Sequence, residues 1–209
     1  MTEAEWLSGT DPRAMLTFLR DAGKASERKL RLFAVARCRR VLHCFRDELS
    51  RNAIAVAERF ADGLLSRHTW EVELRHAGYA CSTSTGTGWP ELAAKLTLMS
   101  PFSTDTFLEV IGHVAEPSEL SEGDLVRDLF GPLPFRPVPL DPSWLAWNTG
   151  TVAAVAGHIY AGRSFHALPA LADALQDAGC DNEDILGHCR SGGDHVRGCW
   201  VVDLLLGRE

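Results

Sequence analysis

Several things are missing from this sequence, and each absence closes off a class of protein. No run of residues approaches the roughly 18–20 apolar positions needed to cross a bilayer. The opening MTEAEWLSGTD lacks the basic and then apolar pattern of an export signal, so a cytoplasmic protein with no membrane association is expected. Alternating β-branched segments bounded by turns are not found, which argues against a sheet. There is no CxxC pair, hence no zinc-finger signature, and no GxxxxGK[ST] loop to cradle a nucleotide phosphate. No repeat recurs at a fixed period. What is present is ordinary for a globular domain: 45% hydrophobic and 23% charged residues over 209 positions, with a net charge of -7. A chain of this length buries roughly 70% of its unfolded surface without help from cross-links. Its six irregularly spaced cysteines therefore point to reduced thiols or a metal site rather than a disulfide framework.

The remaining signals are helical. Asp11 before Pro12 supplies a side-chain acceptor and a preset φ at a helix start, with Met15, Leu16, Phe18 and Leu19 as the apolar face and an end near Gly23. Leu30, Ala34, Cys38, Val41, Leu42 and Phe45 recur three or four apart and predict a helix over 26–45. Further helices are predicted over 49–65, 70–79, 90–99, 105–114 and 125–130, the last introduced by Ser121 and Asp124 spaced as a capping box. The run 82–88, SerThrSerThrGlyThrGly in composition, reads as a surface loop. Five prolines between 132 and 142 forbid helix and predict an extended connecting segment over 131–143. Four short helices follow at 151–161, 167–178, 182–189 and 195–206. The expectation is an all-α fold, an irregular multi-helix bundle. It would comprise an N-terminal portion over 1–130 and a C-terminal four-helix unit over 144–209.

Both ends of the chain carry a resemblance. The stretches MTEAEWLSGTDPRAML, KLRLFAVARCRRVLHC, AVAERFADGL, DPSWLAWNTGTV, LADALQDAGCDNEDILGHC and HVRGCWVVDLLLG resemble an uncharacterised helical family expanded in planctomycete-type bacterial genomes. The middle, 71–119, departs from it. The resemblance implies a bacterial, cytoplasmic, helical protein and transfers no catalytic residue.

Three groups of residues have chemistry to offer. Cys180, His188, Cys189, His195 and Cys199 lie close together near the C-terminus, with His195 and Cys199 four apart on a predicted helix and so facing one way. Thiolate and imidazole are the donors of a closed tetrahedral zinc site. Buried core cysteines with capping histidines are the simpler expectation, and a structural zinc is the alternative. The same residues read as a Cys/His nucleophile and base, oriented by Asp184 or Asp194, give a third and weaker option. Second, nine Lys and Arg against three acids between 24 and 51 give a local net of +6 and leave -13 for the rest. Arg28, Lys29, Arg39, Arg40 and Arg46 lie opposite the Leu30 and Phe45 stripe, so a basic face on the 26–46 helix could meet nucleic-acid phosphates unless acidic segments pack beside it. Third, Trp144 and Trp147 with Phe135 could frame an aromatic groove for a partner protein, or pin the proline segment onto its own domain. No residue is assigned a catalytic role. The functional expectation is a non-catalytic binding or adaptor module acting through protein-protein contacts. Its rival is a zinc-stabilised nucleic-acid-binding protein, such as a regulator or a defence-system component.

Overall fold

The computed structural model describes residues 1–45, 48–83 and 122–208, of which 44 and 77–83 by backbone alone. Among the described residues every regular element is helical, and there is no strand. The helices are α1 (Glu3–Ser8), α2 (Pro12–Asp21), α3 (Glu27–Arg40), α4 (Glu48–Ala61) and α5 (Arg67–Thr83), then α6 (Glu122–Phe130), α7 (Pro142–Ala146), α8 (Thr151–Gly162), α9 (Leu168–Asp177), α10 (Glu183–Arg190) and α11 (Trp200–Leu206). The helices predicted over 90–99 and 105–114, and most of the 82–88 loop, lie outside the described residues. The first part of that loop, residues 82 and 83, is the end of α5.

Local chemistry accounts for the helix starts. Thr2 and Glu5 form a reciprocal capping box at α1, the Thr2 N–H donating to Glu5 Oε2 at 2.7 Å and the Glu5 N–H to Thr2 Oγ1 at 3.2 Å. Asp11 accepts from the Arg13 N–H at 2.9 Å ahead of α2, as its place before Pro12 predicts. Asn182 accepts from the amides of Asp184 and Ile185 at the start of α10.

The chain divides into two compact units, one of Met1–Met15 with Leu120–Glu209 and one of Leu16–Glu119. The division does not fall at the proline segment, where the sequence places it. That segment belongs to the first unit: Val138 is in the apolar core, Pro132 and Pro134 are buried, and Arg136 pairs with Asp184 and with Glu3 at 2.9 Å. Prolines dictate an extended path, but buried side chains and a charged anchor decide where that path lies. In the same unit α8 packs on α9 and α11, and α9 on α10, around a core that includes Val152, Ile159, Leu171, Leu175, Ile185, Trp200 and Val201.

In the other unit α3 differs from the amphipathic expectation. It is shorter than the predicted 26–45 helix, ending at Arg40 ahead of a 3₁₀ turn at Leu42–Cys44, and it is buried continuously from Lys29 to Cys38. Several of its basic residues are taken up inside the unit. Arg31 lies 5.2 Å over the Phe60 ring and pairs with Glu27, Arg28 pairs with Asp62, and Arg39 with Glu58.

Candidate metal centre

The first unit brings four donors together. Asp128 comes from α6, His188 from the last turn of α10, His195 from the connection between α10 and α11, and Cys199 from the position just before α11. One donor atom from each lies within 4.8 Å of the other three. Asp128 Oδ1 is 2.6 Å from His195 Nδ1 and 3.2 Å from His188 Nε2, and that same Nε2 is 3.1 Å from Cys199 Sγ. A tetrahedron with metal bonds of about 2.0–2.3 Å has edges of roughly 3.3–3.6 Å, so small shifts of these side chains would seat an ion.

The surroundings hold the donors in place. Asp128 Oδ2 accepts the Val196 N–H at 2.9 Å, which leaves Oδ1 turned toward the imidazoles. His195 Nε2 faces Ser191 Oγ and the Ser191 carbonyl, each at 3.4 Å, so the nitrogen away from the centre has partners that select the tautomer. Arg197 lies 4.5 Å from the centre of the Tyr160 ring, tying the connection to α8, and Gly198 takes φ +96 so that the chain can turn into α11. The His188 ring lies edge-on to His195 and tilted against Trp200, with ring centroids at 4.7 and 5.3 Å.

Burial and charge set the electrostatics. Asp128 is 4% exposed and Cys199 fully buried. Burial opposes ionisation of Asp128, but hydrogen bonds from His188 and His195 outweigh it and hold the carboxyl below its usual range. Burial likewise works against a charged His195, and its hydrogen bond to Asp128 prevails, raising that imidazole. Burial, and then the nearby Asp128 carboxylate, push the Cys199 thiol well above its ordinary value. A dication bound by one carboxylate, one thiolate and two neutral imidazoles would be electrically neutral as a whole, the condition under which a buried charge is tolerable. The four residues could therefore hold a metal ion.

The sequence anticipated three of these donors and missed one. Cys180 and Cys189 are not in the group; both lie in the apolar core, where burial raises their thiols, that of Cys189 to about 12. His195 and Cys199 meet as expected, but not along a helix, since α11 begins only at Trp200. Asp128 draws on both the His195 ring and the Val196 amide, and this holds 195–196 out of helical hydrogen bonding. The signal for Asp128 was present: an acid among Leu125, Val126, Leu129 and Phe130, on the face of α6 that is buried.

The other two candidate groups are taken apart. Lys29 is 8% exposed, Arg28 and Arg39 are in ion pairs, Arg40 is half-buried, and Arg46 lies outside the described residues. Trp144 is buried in the core and Trp147 packs against it, while Phe135 is edge-on to Trp6 at 5.8 Å, so the rings serve the interior of their own unit. Asp184 is engaged by Arg136, and Asp194 is exposed. No family model, curated protein or solved structure matches the chain.

Proposed function

We propose that the protein is a non-catalytic binding module whose C-terminal helices are stabilised by a structural zinc ion at Asp128, His188, His195 and Cys199. The observation that carries this reading is the donor set itself: four protein donors of mixed N, O and S type, inside 4.8 Å, largely out of solvent. A catalytic zinc keeps one position for water, whereas a structural one closes all four with protein. The donors here leave no fourth place to fill. A cysteine-hydrolase reading has less support, because a nucleophile needs a depressed thiol pKa and access to substrate, and Cys199 has the opposite of both. A base also needs one ring nitrogen on the nucleophile and the other on the carboxylate, whereas His188 turns the same Nε2 to Cys199 and to Asp128. Binding through protein contacts is left as the role, with large side chains such as Leu7 and Leu133 exposed at 59% and 37%.

Elemental analysis of protein purified without a metal-affinity tag tests this reading. One zinc per chain is expected. Cys199→Ser should lose it, and Cys189→Ser should retain it while costing about 1 kcal/mol of core packing. Absence of zinc from the wild-type protein, or equal loss in both variants, sinks the proposal.

A further inference from the structure

Of the four donors, three belong to a short stretch at 188–199 and one, Asp128, comes from a distant part of the chain. Its helix does not stand alone. One residue before Asp128 and three residues after it, the chain is hooked to the N-terminal segment. The Arg127 guanidinium donates to the carbonyls of Trp6 at 2.9 Å and Gly9 at 2.6 Å, and the Trp6 indole N–H donates to the Gly131 carbonyl at 3.0 Å. Gly131 in turn lies against the Trp200 ring, so closely that a methyl group there would fall within 2.6 Å of the ring atoms. Trp200 follows Cys199 directly and lies beside His188. A contiguous path of packed and hydrogen-bonded groups thus runs from the centre to α6 and on to α1.

Those two helices hold a particular place in the chain. The first unit is left after Met15 and re-entered at Leu120, so the chain leads into and out of the 16–119 unit through the segments that contain α1 and α6. Besides apolar contacts, α6 is tied to the C-terminal part of the unit through Asp128, a buried carboxylate that meets two imidazoles and one amide. An ion bonded to Oδ1 replaces a hydrogen-bonded contact with a coordinate bond and neutralises the buried charge, and both effects favour the arrangement in which α6 is seated.

Building on the zinc reading, we propose that this ion acts as a latch within the first unit, fastening α6 and, through Arg127 and Gly131, α1 onto the C-terminal helices, so that metal availability sets how firmly these two helices are held. The differential that such a switch requires is supplied by Asp128, which is a ligand only while α6 is in place.

Backbone amide exchange on the full chain tests the latch. Protein stripped with a chelator is compared with the same protein given equimolar Zn²⁺, with bound zinc counted by elemental analysis in each sample. Zinc should slow exchange roughly tenfold or more in α1, α6 and 188–199 while leaving α9 unchanged. Arg127→Ala, which keeps all four donors and the Trp6–Gly131 bond, should retain the slowing at α6 and reduce it at α1. If zinc binds at one per chain and α6 exchange does not change, or α9 slows equally, the latch is wrong and the metal centre stands. If Arg127→Ala leaves the slowing at α1 undiminished, the part of the path assigned to Arg127 is wrong. If no zinc binds, both readings fall together.

Discussion

Gly131 shows how much of this molecule turns on single positions. It takes φ +54, a backbone conformation that L side chains rarely adopt, its carbonyl holds the Trp6 indole, and the Trp200 ring occupies the space that a side chain would need. The obstructing atoms are at the base of a fully packed indole rather than the tip of a flexible chain, so they cannot yield cheaply. Gly131→Ala should therefore cost about 2–4 kcal/mol through strain and displaced packing. Gly157, inside α8 with nothing within 4 Å of its missing Cβ, is the contrast. Gly157→Ala should stabilise by about 0.5–1 kcal/mol through helix propensity alone. Denaturant midpoints of the two variants measure both effects, and similar losses in the two would contradict the packing seen at Gly131. The same scale explains Asp128. Its neighbours on α6 are apolar and buried, so the acid's burial is tolerable only because two imidazoles and an amide meet it.

At the scale of elements, Arg136 staples the proline segment to α10 and α1. Its guanidinium takes Asp184 with two donors and Glu3 with a third, all at the surface. The hydrogen bonds from Arg136 hold the Asp184 carboxyl below its usual range, against the opposing effect of partial burial. A carboxyl lowered in the folded state contributes stability above its unfolded pKa and gives it up as pH falls through the folded value. Both partners are well exposed, so solvent screening limits the contribution to about 1 kcal/mol or less. Arg136→Ala should thus be mildly destabilising at about pH 6, with the difference from wild type shrinking below about pH 4 and at high salt. Urea denaturation at the two pH values reads the effect, and a gap that does not depend on pH would assign it to packing of the Arg136 stem instead.

For the whole molecule, the basic residues described in α3 are largely paired or buried within their own unit. The +6 concentrated between 24 and 51 reads as a nucleic-acid face only while its helix is taken to be half-exposed. Among the described residues, burial of α3 along ten positions, with Arg28 on Asp62 and Arg39 on Glu58, takes up much of the α3 charge internally. Accordingly, fluorescence anisotropy with duplex DNA or RNA at about 50 mM salt should show no specific binding. Arg39→Ala should act on stability, costing about 1–3 kcal/mol, because Glu58 is 2% exposed and loses a charged partner. Salt-dependent binding that weakens with Arg39→Ala, at unchanged stability, would restore the nucleic-acid reading.

The helical class of the fold and many helix starts were determined by the sequence alone, because apolar spacing and capping side chains act over three or four residues and do not depend on what lies elsewhere. Asp11 with Pro12 and Asn182 are examples. The sequence also set His188, His195 and Cys199 within one short stretch, but that stretch extended could reach about 36 Å, so their meeting depends on how the connection between α10 and α11 folds back. Only the tertiary structure decided that Asp128 completes the group while Cys180 and Cys189 are left in the core, that the proline segment is interior to a unit, and that α3 is buried on its basic side. Each of these depends on partners more than a dozen residues away, and burial of a charged side chain is decided by whether such a partner arrives to meet it.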